Sequence, residues 1–313
     1  MEKIMDELGH NDFSPSSRVT MKDWFFVKFG QTLSNLFFIP FHEAYTAGLY
    51  NQISVQDEQK TPLDRKRMFL GAFQDTGAAG YNVKFRYPID GLDRLIRGLS
   101  RKCRIHYNAR VVKIELSDKR IFFDNGTTVR YDVLISTLPL RRTVELCDVR
   151  LNMQSDPYTS VLVLNIAAKR GVSCPDVHWM YVVGSKARFH RVGFYSNVDK
   201  SFLPIGCSDQ VTLYVEKAYV GGYLPGQGEI EEFIKMATRE LQSWAFIEEI
   251  DVVDVSWIDY AYTWAWLNSD WKQRAIKMLE SHEIFPAGRY ARWVFQGIAD
   301  SIRDGLIAGA SLR

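Results

Sequence analysis

The residues best placed to do chemistry close the chain. A short apolar run, Glu283 to Ala287, reads as a buried strand; Gly288-Arg289 breaks it, and an aromatic loop (Tyr290, Trp293, Phe295) leads to Gly297 and a helix. Asp300 or Ser301 can cap that helix, and Ile302, Leu306, Ile307 and Ala310 give it one apolar face. Gly305 and Gly309 weaken it unless this face lies against another backbone. The free amides at a helix start, at the positive end of its dipole, favour negative charge. The order of elements is that of a cradle for an anion or cofactor, and it also describes an ordinary strand–loop–helix.

Nothing else in the chain supplies a ready-made catalytic set, and no catalytic residue is assigned. There is no H-E-x-x-H pattern, no Cys/His cluster with metal spacing, and no Ser/His/Asp order or phosphate loop. Four cysteines (Cys103, Cys147, Cys174, Cys207) lie far apart without C-x-x-C spacing, as isolated reduced thiols of a cytosolic protein do. His178 and His190 read as structural histidines, and His42, Glu43 and Tyr45 as helix-end or surface residues.

The elements that must position the closing segment follow from apolar periodicity. Residues 1–19 read as a turn or flexible lead, and Thr20 caps a helix carrying Trp24, Phe25, Val27 and Phe29. Gly30 interrupts it, and Leu33, Leu36, Phe37 and Phe38 resume the pattern until Pro40. Residues 54–80 read as a mobile or ligand-side loop. Pro88 and Gly91 bound a tight turn before an amphipathic helix with Leu92, Leu95, Ile96 and Leu99, after which Arg104 to Tyr107 starts a strand. Arg110 to Leu116 and Lys119 to Phe123 form a hairpin pair closed near Asn125-Gly126. Tyr131 to Ser136 is apolar on both faces, which suits a central strand of a parallel sheet. Four strands of a second sheet follow: Val161 to Ala168, His178 to Val183, Phe189 to Tyr195 and Val211 to Ala218. A helix over Glu229 to Phe246, a strand over Ile250 to Ile258 and a helix over Asp270 to Glu280 complete the chain.

Several stretches resemble the FAD-dependent amine oxidase and protoporphyrinogen oxidase group, nearest to UDP-galactopyranose mutase-like proteins. They are the closing Gly-Arg, aromatic loop and SI..G..AG; MKDWFFVKFGQTLSNLFFIPFHEAYTAG; YP-x-x-G-x-x-x-L; and HWMYV, ARFHRVGFYSNVD and LYVEKAY. The resemblance implies an α/β (mixed α+β) fold, with an incomplete FAD/NAD(P)-binding Rossmann-like domain and a second, substrate-domain sheet with helices. It divides the chain into an N-terminal helical segment (1–86), a partial FAD-binding-like region (87–148), a substrate-domain-like sheet and helices (149–282) and a C-terminal flavin-binding-like strand and helix (283–313). By match, Gly288 and Arg289 approach the FAD diphosphate, and Gly297, Ile298 and Ala299 meet the pyrimidine edge of the flavin ring. A backbone amide at Val111 or Val112 holds adenine, and the strand ending in Thr137 and Pro139 passes the diphosphate. Tyr181, Arg188, Arg191 and Tyr195 line a substrate pocket, the arginines suited to carboxylate or phosphate. Tyr260 and Tyr262 lie near the flavin face, in an aromatic-Ala-Tyr turn where Thr263 replaces the family's proline.

The family's opening strand, G-x-G-x-x-G turn and helix have no counterpart in these residues. The resemblance therefore implies FAD as cofactor, with weak binding by this chain alone, and leaves Tyr131–Ser136 as an open apolar edge for a second polypeptide or a second copy to cover. Three functions follow: the C-terminal portion of an FAD-dependent oxidoreductase or sugar-nucleotide mutase-like protein; a degenerate binding or regulatory relative; or a flavin-independent enzyme reusing the substrate pocket for a small molecule. In 313 residues, an apolar content of 46%, a charged content of 24% and a net charge of +2 suit a globular protein without nucleic acid as obligate partner. No apolar run approaches the roughly 20 residues of a membrane span, and no secretory signal opens the chain, so a cytoplasmic location is expected.

Overall fold

The computed structural model describes residues 2–9, 19–56, 66, 70–71, 73–74, 86–89 and 91–311. Most of the expected 54–80 loop lies outside the described residues. The helices include α1 (Glu2–Gly9), α2 (Met21–Leu33), α3 (Ile39–Tyr45), α4 (Leu92–Ser100), α5 (Leu140–Leu146), α6 (Gln227–Ser243), α7 (Trp271–Glu280) and α8 (Ile298–Ala310). The strands are β1 (Val111–Glu115), β2 (Arg120–Phe123), β3 (Thr128–Arg130), β4 (Leu134–Ser136), β5 (Tyr158–Arg170), β6 (Trp179–Tyr181), β7 (Arg191–Phe194), β8 (Gln210–Val220), β9 (Ile247–Thr263) and β10 (Ile284–Pro286). The fold is mixed α/β, as the sequence implies. Contacts group it into unit one (Met1–Arg94 and Thr159–Ala261) and unit two (Leu95–Tyr158 and Tyr262–Arg313).

Unit one is built on a five-stranded sheet of order β6-β7-β8-β5-β9. All four expected strands enter this one sheet. The central strand β5 is buried on both faces along nearly its whole length, which its aliphatic run permits. It pairs antiparallel with β8 over Thr159↔Val220 to Lys169↔Gln210. Leu162, Leu164 and Ile166 join Val211, Leu213 and Val215 against Phe233, Ala237 and Leu241 of α6, forming the core. The expected strand at Ile250–Ile258 is longer than its apolar run, and β9 continues to Thr263. The aromatic-Ala-Tyr stretch is therefore strand rather than turn: Thr263 keeps the amide that proline lacks.

The N-terminal helices depart from expectation in instructive ways. Residues 2–9 form α1, and residues 10–18 of the expected lead lie outside the described residues. Thr20 does cap α2, its Oγ1 accepting from the Asp23 amide at 3.2 Å. Gly30, at φ +75, breaks the helix. The Glu7 carboxylate then takes both the amide and the hydroxyl of Thr32, at 2.8 and 2.7 Å, and so caps the restarted turn from outside. The chain does not stop at Pro40; it passes through a π-turn (Ser34–Phe38) into α3, where a proline in the first turn loses no intrahelical bond. His42 is half-buried rather than on the surface, 4.4 Å from the Phe25 ring, with Nδ1 2.8 Å from the Phe38 carbonyl.

Unit two holds an antiparallel meander, β1-β2-β3, and a parallel pair, β4–β10, in register Leu134↔Ile284 to Ser136↔Pro286. Asn125-Gly126 turns β2 into β3, not β1 into β2, so the expected hairpin is a three-stranded meander. Arg104 to Tyr107 is not a strand: no described neighbour pairs with it, and Ile105 and Tyr107 stay exposed. The Tyr131–Ser136 strand shrinks to β4, whose only described partner is β10.

Gly171 shows how tightly unit one is closed. A Cβ there would collide with the Ala245 carbonyl, whereas one at Gly228, in the first turn of α6, would meet nothing within 4 Å. Gly171→Ala should lower stability by about 1–3 kcal/mol in urea titration. Gly228→Ala should leave it unchanged or raise it by several tenths of a kcal/mol.

Candidate functional site

The closing segment folds as strand, left-handed glycine, aromatic loop and helix. β10 ends at Pro286, and the Ala287 amide donates to Ser136 O at 2.9 Å, which sets the turn opposite the end of β4. Gly288 adopts φ +84, and a Cβ built on it meets nothing within 4 Å. Its backbone is thus bare to an approaching group, and a side chain there would be strained. The Leu140 amide, just past Pro139, donates to Tyr290 O at 3.0 Å and joins the β4 end to the aromatic loop.

α8 begins at Ile298 with Gly297 as its cap, a turn earlier than Asp300 or Ser301 would place it. Asp300 instead reaches back, its Oδ2 accepting from the Gly297 amide at 3.2 Å. Gly297, Ile298 and Ala299 are exposed, so first-turn amides, which have no partner inside a helix, open outward. The apolar face expected on this helix is not buried: Ile298, Leu306 and Ile307 are 54%, 71% and 59% exposed.

What the helix buries is Asp304, whose side chain is 8% exposed. Its Oδ1 accepts from Arg292 Nη1 at 2.8 Å, and its Oδ2 from Gln296 Nε2 at 3.0 Å and the Gly288 amide at 3.3 Å. Burial alone would push this carboxyl up, but the hydrogen bonds from Gln296 and Arg292, with the Arg292 charge, outweigh it and hold it below the ordinary carboxylate range. Asp304 was not foreseen. Its signal is a polar stripe, Gly297, Asp300 and Asp304, at helical spacing.

Arg289, half-buried, sits among rings, its guanidinium 5.4 Å from Tyr262, 5.4 Å from Tyr290 and 4.7 Å from Phe295. Tyr262, expected on the substrate side, therefore shares this cluster with the cofactor candidates Gly288, Arg289 and Gly297–Ala299. Thr137 is exposed and Pro139 half-buried at the end of β4. Val112 lies in the meander. It is the extra residue where the β1–β2 register shifts between Val111 and Lys113, and it is 48% exposed. A bulge residue of this kind is left unpaired in the ladder.

The other substrate candidates lie in unit one. Tyr181 on β6 pairs in register with Arg191 on β7, and its ring lies 4.9 Å from Phe41. Arg191 is bound to the Glu216 carboxylate of β8, and His190 Nε2 lies 3.4 Å from the other Glu216 oxygen. Burial by itself would raise the Glu216 carboxyl, but His190 and Arg191 hold it low; burial holds His190 below the ordinary imidazole value. The expected structural role of His190 fits this buried contact. Arg188 stands in the loop before β7, and Tyr195 donates to Asn165 Oδ1 at 3.0 Å. Tyr260 is half-buried on β9, at the opposite edge of the sheet from Tyr181. Among the described residues no group of three or more His, Cys, Asp or Glu could hold a metal, and no helix is long and apolar enough to cross a membrane.

The family described as flavin containing amine oxidoreductase matches residues 7–308. A crystal structure of reduced UDP-galactopyranose mutase is similar, with a TM-score of 0.78 and 20% identity, covering 93% of this chain and 67% of that one. A protein from Exiguobacterium assigned as a protoporphyrinogen oxidase has a TM-score of 0.68 and 14% identity, covering 99% of this chain and 71% of that one. A redesigned putrescine oxidase has a TM-score of 0.55 and 12% identity, with 99% and 73% covered. At these identities the structures show the shared fold. No curated protein matches by sequence.

Asp304→Ala should cost about 2–3 kcal/mol, since three donors lose one buried acceptor. With its folded value held below the ordinary 3.8, Asp304 contributes stability that is complete above that value and lost as the pH falls through the lowered one. Asp304→Asn should therefore lose less stability than wild type in acid. Equal acid slopes in denaturant titrations would show that the carboxylate is not what holds the segment.

Proposed function

Because the chain belongs to the flavin containing amine oxidoreductase family, we propose that unit two forms the flavin-ring end of an FAD site. Family membership gives FAD as the cofactor and FAD-dependent oxidoreductase-like chemistry as the function class. The residues present fit that group at this end. The open space beside Gly288 admits close backbone approach, the α8 start presents exposed amides, and the Gln296 Oε1 is buried with no hydrogen-bond partner among the described residues. FAD, when bound, supplies two-electron redox chemistry.

The chain's own residues have separable tasks in this reading. The amides of Ile298 and Ala299 stabilise negative charge on a bound pyrimidine edge. Arg289 and its rings shield that edge from water, while Gly288, Thr137 and Pro139 leave room for the diphosphate and Val112 offers a backbone group to adenine. Tyr181, Arg188 and Arg191 of unit one serve a small-molecule substrate; Tyr260, at the other edge of the sheet, and Tyr262, beside Arg289, do not share that position. A second polypeptide or a second copy would cover the open edge of β4. The observation that carries the reading is the exposed α8 start, held in place from below by Asp304. Since the sequence has no G-x-G-x-x-G turn, these 313 residues by themselves should hold FAD weakly.

Ile298→Pro tests the reading directly. Gly297 has φ −84 and ψ 176, which a following proline accepts, and the first helical position tolerates proline. The substitution removes one amide and little else. In a titration followed by flavin fluorescence, FAD affinity should fall by about tenfold or more, as loss of one charge-assisted hydrogen bond predicts, with an unchanged unfolding midpoint. Unaltered FAD affinity in a folded Ile298→Pro would remove α8 from the site. Absence of any FAD binding would favour the binding-protein or flavin-independent readings.

A further inference from the structure

We propose that unit one contains a second small-molecule site, a cavity between the end of α3, the free end of β8 and the start of α6, built for a flat organic monocarboxylate. The cavity measures about 340 Å³, and its lining includes Glu43, Arg188, Lys217, Tyr219, Tyr223 and Glu229. It opens where β8 outruns its neighbour: pairing with β7 ends at Arg191↔Glu216, and among the described residues Lys217 to Val220 pair with β5 alone.

Two cations face this space, each with only a loosely placed carboxylate beside it. Arg188 Nη2 lies 4.0 Å from Glu43 Oε1, at the limit of an ion pair. Lys217 makes no ion pair among the described residues; its ammonium lies 5.1 Å from the Tyr219 ring and 4.9 Å from Phe233. Burial lowers the Lys217 pKa, the Glu229 charge opposes that, and the Arg188 charge lowers it further, so like charges stand near one another. An anion between them would relieve both.

Arg188 is also held there at a cost. Its backbone is left-handed, at φ +64, a conformation that disfavours a side chain. The Glu240 carboxylate of α6 fixes the loop that imposes it, accepting from Ser185 Oγ at 2.8 Å, the Lys186 amide at 2.9 Å and the Ala187 amide at 3.0 Å. The Tyr219 hydroxyl is buried with no well-formed hydrogen bond among the described residues: the Glu229 carboxylate beside it, which with burial raises the Tyr219 pKa, is engaged by Tyr223 Oη at 2.6 Å. A ligand oxygen would satisfy it.

The charge balance selects the ligand. With Glu43 and Glu229 also in the lining, one negative charge lying between Arg188 and Lys217 meets less repulsion than the two of a phosphate dianion. The Tyr219 and Tyr223 rings stack at 5.6 Å with 8° between planes, a surface for a flat apolar body. The proposal rests on the reading of Arg188 as a substrate-side residue and names the class of ligand it takes.

Isothermal titration with benzoate and with inorganic phosphate tests it, on the wild-type protein, Arg188→Gln and Lys217→Met. Benzoate should bind saturably and phosphate should not. Each substitution should weaken benzoate about tenfold, the value of one charge-assisted contact. Arg188 is exposed, so Arg188→Gln should keep the wild-type unfolding midpoint and decides the matter if Lys217→Met folds poorly. No saturable benzoate binding, unchanged benzoate affinity in a folded Arg188→Gln, or tighter binding of phosphate would overturn the proposal. FAD titration of the same samples keeps the two readings apart: loss of FAD binding with benzoate binding intact fails the flavin reading alone, and the reverse fails this one.

Discussion

The Asp304 carboxylate accepts from the Gly288 amide, Arg292 and Gln296 at once, and the closing segment takes its shape from that convergence. A buried carboxylate loses its hydration, so it is tolerated only where donors replace the lost water. Three donors, one from the turn and two from the loop, do so here. The left-handed turn after β10, the aromatic loop and α8 are thereby drawn to a single point. Exposed first-turn amides are useful only if the helix that carries them is fixed, and the anchor on the buried side of α8 fixes it.

The same device recurs in unit one with other partners. Glu216 sits in the middle of β8 between Arg191 and His190, and Glu240 on α6 takes two amides and a hydroxyl from one loop. In each case a buried acidic side chain sets the position of neighbouring polar groups. Glu216 holds the Arg191 guanidinium on the sheet, and Glu240 holds the backbone that presents Arg188. Such groups add little net stability because desolvation offsets most of their attraction; what they supply is geometry. The aliphatic core of β5, β8 and α6 supplies the stability against which that geometry is held.

The amino-acid sequence by itself determined the elements with strong periodicity or strong punctuation. The second sheet, α6 and α7, the Thr20 cap, the Gly30 break and the Gly288 turn were all legible, because apolar spacing and glycine or cap chemistry act within a few residues. The family stretches gave the fold and the cofactor. Tertiary structure alone decided the rest. Arg104–Tyr107 has strand-forming residues but no described partner strand, and a strand needs a neighbour to satisfy its backbone. Asn125-Gly126 is a turn in any reading, yet which two strands it joins depends on a register that spans the meander. α8 has an apolar stripe that stays exposed, while the residue it buries is the charged Asp304. That inversion follows from where Arg292, Gln296 and Gly288 meet Asp304 in space, which no local pattern encodes.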